Sequence, residues 1–277
     1  MRKSLIRHLK RKMDDLEFPT KVAVSVVSYD RPKTLYVCLD SILRMHQVEK
    51  VPVFVFLIEN DTLMDRLSMI GDLPVNKMVI RERGGDAYMS ALRYLFYVVG
   101  CAYVMSLGDD NLVCSDTLDY ALSLEEDSQV FVDSLGGYDA ELGNTMCGAS
   151  TMGGVYIKKD SFDLLHTWLN NGRCSQILGS SFVPGTGYRY DFDHFLDMLM
   201  KHGGLCTRYA PVRYIMCFGL YGLHTPEISV CREMEDNRFF VGDRHSWLSN
   251  VTKILASDEE LPEIVTKILL PRHFIYR

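Results

Sequence analysis

The strongest constraint in this chain is a series of short apolar runs that do not alternate with polar residues. VAVSVVS at 22–28 is almost wholly apolar and rich in valine, and VPVFVFLI at 51–58 repeats the pattern. A strand with one face in water would alternate, so runs like these belong to strands buried on both faces. Between them lie stretches with helical spacing. Asp30-Arg31-Pro32 opens one, because proline suits the first helical turn, and Leu35, Leu39, Ile42 and Leu43 give it an apolar face. Met64, Leu67 and Ile70 mark a short second helix. Asn76 to Ile80 is a weaker strand, Gly84-Gly85-Asp86 opens a helix through about Val99, and Ala102 to Leu107 is another buried strand. The first ~110 residues therefore read β-α-β-α-β-α-β. That order predicts an α/β fold, Rossmann-like, with a mostly parallel central sheet and helices on both faces.

The second half is less regular. Val130 to Asp133 reads as a strand, as does GGVYIKK from Gly153, followed by a helix from Asp160 to about Leu169. Residues 171–189 are rich in Gly, Ser, Asn and Pro and read as one long loop, a common form for lids and binding loops. A helix is expected from about Asp191 to His202, stopped by Gly203-Gly204, and one or two strands from Cys206 to Phe218. The tail, 245–277, reads as one or two helices packed on the body. Residues 1–18 are basic and then acidic, with Leu5, Ile6, Leu9 and Met13 near helical spacing. They form either a helix on the domain edge or, through residues 1–12, a peripheral attachment to an anionic surface or partner.

Composition removes several classes. The chain has 277 residues, 24% charged and 11% aromatic, which excludes a disordered protein and allows one large domain. A net charge of −6 weighs against a whole-surface nucleic-acid binder. The uncharged apolar stretch from Tyr94 to Gly108 falls short of the roughly 20 residues that cross a bilayer. No apolar signal core follows the basic MRKSLIRHLKRK. Eight cysteines without a CxxC pair read as reduced core thiols, so the expected location is cytoplasmic.

The polar residues that could do chemistry fall where the strands end. Ser28-Tyr29-Asp30-Arg31, Glu59-Asn60-Asp61 and Asp109-Asp110-Asn111 each follow a buried strand. Ligands of open α/β sheets bind beyond the carboxyl ends of strands. Two adjacent carboxylates repel and call for something positive beside them. Mg²⁺ or Mn²⁺, which take one or two carboxylates plus phosphate oxygens, would serve; the alternative is a solvated turn capped by Asn111. Gly84-Gly85 matches neither GxGxxG nor a Walker A loop. Gly85 either admits a ligand close to the backbone or forms the turn. Of the nearby Arg81, Arg83 and Arg93, one is a candidate for a phosphate contact, and Arg93 joins Gly85 in the candidate donor set.

In order and spacing, these features resemble the glycosyltransferases of the GT-A fold, most closely the large inverting family two. The resemblance runs over roughly residues 21–210: VAVSVVSYDRPKTLYVCLDSIL, then IENDT, then RGGDAYMSALRYLFYVVGCAYVMSLGDDN, then GGVYIKKDSFDLL and YDFDHFLDMLMKHGG. It implies a GT-A domain at 21–245, with a nucleotide part at about 21–111 and an acceptor part at about 112–245. A basic segment, 1–20, precedes it and a helical tail, 246–277, follows. Ser28, Tyr29 and Arg31 would lie near the base and ribose of a nucleotide-sugar donor. Asp61, with Glu59 and Asn60 beside it, would accept hydrogen bonds from base or ribose. Asp110 and Asp109 would hold Mn²⁺ or Mg²⁺ across the diphosphate, and His224 in GLYGLHT either completes that metal site or is structural.

Asp193 or Asp191 would deprotonate an acceptor hydroxyl, giving inversion; a retaining reaction would not need that base. Tyr188 and Tyr190 either stack on the ligand or pin their loop. The family's Asp-x-Asp reads Gly108-Asp109-Asp110 here, without its first aspartate, and its Glu-Asp pair reads Asp191-Phe192-Asp193. UDP-sugars are the family's commonest donors. Acceptors compatible with the sequence are a glycan, a small molecule or a hydroxymethylated DNA base. Two rival readings are a sugar-nucleotide pyrophosphorylase, whose glycine-rich basic loop SYDRPKT lacks, and an inactive GT-A binding protein.

Overall fold

The computed structural model describes residues 22–136, 154–178, 203–217 and 270–272, together with Leu196 and Val265. Its main sheet has seven strands. In chain order these are β1 (Val22–Ser28), β2 (Val53–Ile58), β3 (Asn76–Ile80), β4 (Tyr103–Gly108), β6 (Val130–Ser134), β7 (Val155–Lys158) and β8 (Cys206–Tyr209). Their spatial order is β3-β2-β1-β4-β7-β6-β8. The pairs β1–β2, β2–β3 and β1–β4 are parallel, β7 runs antiparallel to both β4 and β6, and β8 is parallel to β6. A separate ribbon pairs β5 (Asn111–Val113) with β9 (Ile215–Cys217), antiparallel.

The helices are α1 (Pro32–Leu43), α2 (Leu63–Met69), α3 (Gly85–Arg93), α4 (Thr117–Ser123), α5 (Lys159–Asn170) and α6 (Arg173–Leu178). Successive side chains of a strand point to opposite faces, and here both faces are covered. Ala23, Val27, Phe54 and Phe56 pack with Leu92 of α3, with Phe96 just after it, and with Phe162 and Leu165 of α5. Val24, Val26, Val55 and Leu57 pack on the other side with Leu35, Leu39, Ile42 and Leu118. Every residue of β1 and β2 is buried. Each large apolar side chain so buried stabilises the fold by ~1.5–3 kcal/mol, which is why the runs could not tolerate alternation. β3, on the sheet edge, has no buried residue and leaves Val79 half exposed, in keeping with its weaker pattern.

Several features differ from the sequence reading. The expected loop at 171–189 contains α6, whose Cys174 is buried and whose Ile177 packs on the core. Two contacts within six residues are too few for a periodicity to register. The third helix changes from α to a wider π turn over Tyr94–Val99 and stops at Gly100, whose φ of 85° is left-handed. β5 and α4 lie in a stretch that carried no expectation; β5 is three residues long and takes its partner from far along the chain. The position where β7 begins is set by Gly154, where a Cβ would come within 2.5 Å of Leu107 Cδ2. Among the described residues no helix is long and apolar enough to cross a membrane. The N-terminal segment, the loop 179–189 and the tail fall outside the described residues, save for isolated positions in the tail. So does the helix expected at 191–202, apart from Leu196, which is helical and buried.

Candidate functional site

Because β2, β1 and β4 are neighbours and parallel, their carboxyl ends lie side by side. Val27 is opposite Gly108, and Ser28 is opposite Leu57. The three polar loops therefore meet. Arg31, at the start of α1, donates from Nη2 to Asp109 Oδ1 at 2.6 Å and to Asp110 Oδ2 at 3.3 Å. The backbone N–H of Tyr29 donates to Asp109 Oδ2 at 3.4 Å. Asn111 closes the turn: its Oδ1 accepts from the Gly108 N–H at 3.0 Å, and its Nδ2 donates to Asp110 Oδ1 at 3.4 Å. Asp109 is buried and Asp110 half-buried. The positive partner that adjacent carboxylates require is thus supplied in part by Arg31.

Gly108 gives a physical reason for the missing aspartate. A Cβ there would lie 2.8 Å from Asp110 Oδ1 and 3.1 Å from the Tyr88 hydroxyl. Any side chain at 108 would have to displace the Asp110 carboxylate. The same contact shows that the first turn of α3, which begins at the buried Gly85, sits against the end of β4. Beneath the turn, Cys38 Sγ lies 3.5 Å from the Gly108 carbonyl. Burial, reinforced by the charges of Asp109 and Asp110, pushes the Cys38 thiol well above its ordinary pKa, so it stays protonated and unsuited to nucleophilic work.

A second set of bonds ties β2 to β1. Asn60 Nδ2 donates to the Tyr29 carbonyl at 2.5 Å, and Asn60 Oδ1 accepts from the N–H and hydroxyl of Thr62. Arg66 of α2, fully buried, donates to Ser28 O, Ile58 O and Asn60 Oδ1, each at 2.6 Å. Sequence reasoning missed this arginine. The available signal was its place on the stripe Leu63, Arg66, Ile70, at the i, i+3, i+7 positions that face a core.

The structure brings Ser28, Tyr29, Arg31, Asn60, Asp109 and Asp110 into one network. Glu59 and Asp61 lie at its exposed rim, where Glu59 pairs with the exposed Arg81 at 2.9 Å. Arg83 stands over the Tyr29 ring, 5.6 Å from its centroid. Arg93 makes no hydrogen bond or ion pair with the cluster among the described residues. It is exposed at the far end of α3, ~12 Å along the helix axis from Gly85 at 1.5 Å per residue. Asp191, Asp193, His224, Tyr188 and Tyr190 lie outside the described residues.

As a place for a divalent cation, the two aspartates differ. Both carboxylates have both oxygens engaged, Asp109 by Arg31 at 2.6 Å and the Tyr29 N–H at 3.4 Å, Asp110 by Arg31 at 3.3 Å and Asn111 at 3.4 Å, so Asp109 holds the shorter bond to Arg31. Asp110 is more accessible and is a hard oxygen donor at the strand end, so it fits Mg²⁺ or Mn²⁺, while Asp109 fits the role of orienting Arg31. A second group of possible ligands, not anticipated from sequence, consists of His46, Asp116 and Asp119, whose donor atoms lie within 4.8 Å of one another. His46 Nδ1 is 3.2 Å from Asp116 and 3.1 Å from Asp119, and Arg272 Nε is 2.9 Å from Asp116. Burial raises the Asp116 pKa, but hydrogen bonds from Ser115 and Arg272 and the nearby cationic charge outweigh it and hold it below the ordinary carboxylate value. This group sits beyond the C-terminal end of α1, whereas Arg31 sits at its start; the helix length of ~18 Å lies between them.

No protein-family model and no curated protein matches the chain. Solved structures do. Glycosyltransferase GlyE of Streptococcus pneumoniae TIGR4 aligns in its apo form with a TM-score of 0.50 at 12% identity, over 88% of this chain and 62% of that one. Another GlyE structure aligns with a TM-score of 0.51 at 11% identity, over 88% and 63%. This chain spans about 62% of the length of those GlyE chains. A cytidylyltransferase from Leptospira borgpetersenii aligns over 91% and 99% at 11% identity, with a TM-score of 0.48, a likeness too loose to bear on function. At these identities the likeness concerns fold alone. The class is an α/β fold with a mixed, mostly parallel seven-stranded sheet flanked by helices, matching GT-A structures.

Proposed function

We propose that this chain is a glycosyltransferase that moves a sugar from a nucleoside diphosphate sugar, a UDP-sugar in the leading case, to an acceptor hydroxyl. One observation carries the reading. Three polar loops converge at the carboxyl ends of three adjacent parallel strands, around an Arg31–Asp109–Asp110 cluster, on a glycosyltransferase-like fold. The unit proposed to act is 21–245, with the donor held by its first 110 residues or so.

In this reading Ser28, Tyr29 and Asn60 shape the pocket for base and ribose, and Glu59 and Asp61 approach the ribose from the rim. Gly85 lets the first turn of α3 come close to the diphosphate. Arg31, already placed between the two carboxylates, offers donors to phosphate oxygens. Asp110 is the proposed ligand for Mn²⁺ or Mg²⁺, with His224 as its companion. When bound, the cation would offset the charge that builds on the leaving diphosphate. Asp193 or Asp191 takes the proton of the acceptor hydroxyl as its oxygen bonds the anomeric carbon. The bond from that carbon to the diphosphate oxygen breaks with its electron pair leaving on the diphosphate, so the configuration inverts. The acceptor is a glycan, a small molecule or a hydroxymethylated DNA base; for DNA, binding must weaken steeply with salt. Attachment of the enzyme near its acceptor would run through residues 1–12.

The test is thermal unfolding with a panel of nucleoside diphosphates and nucleotide sugars, with and without Mn²⁺. Ligand bound to the native state raises the midpoint by mass action. The expected result is a Mn²⁺-dependent rise with one base, lost in Asp110→Asn and kept in His46→Ala. A rise lost in His46→Ala instead would move the metal to the second cluster. No rise with any nucleotide would sink the donor site.

A further inference from the structure

Arg66 is the largest fully buried side chain among the described residues. Its guanidinium is fully buried, and its three short hydrogen bonds go to two backbone carbonyls and one amide oxygen, with a longer one to the Ser28 hydroxyl at 3.5 Å. None of these partners is a carboxylate, and Nε has no hydrogen-bond partner among the described residues. A buried cation bonded only to neutral oxygens is a poor way to stabilise a core, since an apolar side chain of similar volume would commonly do better. What it does is geometric. Ser28 O and Ile58 O are the last carbonyls of β1 and β2, at the points where both chains leave the sheet. Asn60, held by the same guanidinium, holds the Tyr29 carbonyl, and the Tyr29 N–H holds Asp109. One planar fork thus sets the relative positions of all three loops of the cluster. Burial lowers the Arg66 pKa, while the negative charges of Asp109 and Asp30 act against that loss. An arginine stays protonated under such conditions, so a positive charge persists behind the strand ends.

We propose that Arg66 is the positioning residue of the donor site: from beneath, it fixes the loops 28–31 and 59–62 in the shape that receives a nucleoside diphosphate, and it holds a positive charge behind that site without touching the ligand. The proposal rests on the donor-site reading above. Preorganised donors and charges next to a developing or bound anion are worth more in a dry setting than in water.

Three variants separate this role from that of a core strut: Arg66→Lys, which keeps the charge and loses the fork; Arg66→Met, which loses both; and Asn60→Ala, which cuts the link to Tyr29 and the bonds to Thr62 but keeps Arg66 and its bonds to Ser28 O and Ile58 O. Two readouts are taken: amide hydrogen exchange at 28–31 and 59–62 without ligand, and calorimetric affinities for UDP, GDP, CDP and ADP and for their nucleosides. The expected result is faster loop exchange in all variants that fold. Diphosphate affinity falls about tenfold or more in Arg66→Lys and Asn60→Ala, one lost charge-assisted or buried bond being worth about that factor. In Arg66→Met the diphosphate suffers more than the nucleoside. If Arg66→Met does not fold, Arg66→Lys and Asn60→Ala decide the matter. Variants that melt earlier yet show unchanged loop exchange and unchanged diphosphate affinity would overturn the proposal alone. A wild-type protein that binds none of the four diphosphates would overturn the donor-site reading, and the proposal with it.

Discussion

Two clusters, each a basic side chain beside two aspartates, stand at opposite ends of α1. At its start, Arg31 meets Asp109 and Asp110; beyond its end, His46 meets Asp116 and Asp119. The first is largely out of water, with side-chain exposures of 16% for Arg31 and 5% for Asp109, and it is locked by the Tyr29 N–H and by Asn111. The second has a His46 side chain 56% exposed and borrows Arg272 and Gln47 as further partners. Similar groups thus do different work. A pair removed from water must be fully partnered or it destabilises the fold, whereas an exposed pair contributes little. The strand-end cluster is the one whose geometry a ligand could exploit, because its charges are held in place and poorly screened.

That contrast can be broken most sharply at Arg31. Arg31→Ala should cost about 3 kcal/mol in urea unfolding at neutral pH, because Asp109 is left buried beside Asp110 without its cation. Adding Asp109→Asn should recover much of the loss; no recovery would mean that Arg31 acts by packing. A smaller effect is expected at Gly108. Gly108→Ala should cost ~1–2 kcal/mol, since its Cβ must push the Asp110 carboxylate aside. It should also weaken any Mn²⁺-dependent shift; an unchanged shift would separate Asp110 from the metal.

The smallest effects belong to the second cluster. His46→Ala should change stability by ~0.5 kcal/mol or less, and less still in high salt. Asp116 has a folded pKa below its unfolded value. Its contribution is therefore present above the ordinary aspartate pKa and is lost as pH falls through the lower, folded one. Asp116→Asn should accordingly flatten the acid limb of the stability curve and leave stability above neutrality nearly parallel to wild type. A curve that differs instead above neutrality would show that Asp116 is not the group responsible. The thiols offer the same contrast between buried and exposed groups. Brief alkylation of the native protein should label the exposed Cys206 and spare the buried Cys38, as read by mass spectrometry.

Much of the first half was legible before any coordinates. VAVSVVS and VFVFLI are strands because seven and six successive residues had to be buried on two faces, and that demand is written locally. The polar clusters at 28–31, 59–61 and 109–111 were visible for the same reason, since each breaks an apolar run. The antiparallel insertion of β7 beside β4 was not legible, because Val155–Lys158 has the same apolar character in either direction. Nor was α6, with two core contacts in six residues, or the three-residue β5, whose strand character depends on β9. Arg93 and Arg66 make the point for the candidate site. Chain proximity to Gly85 suggested Arg93, which stands in the last turn of α3, while Arg66 carried no expectation, since what buries it is the sheet assembled over it.

The sequence by itself determined the strands and helices of residues 22–108, their β-α alternation, and the placing of three polar loops at strand ends. Those features follow from burial and backbone preferences that act over a few residues. Which cation meets which carboxylate was decided only by the tertiary structure. Arg31 and Asp109 are 78 residues apart, and Arg66 and Ser28 are 38 apart. Nothing local couples such pairs; they meet because β1 pairs in parallel with both β2 and β4, and that pairing is chosen by the packing of the whole sheet.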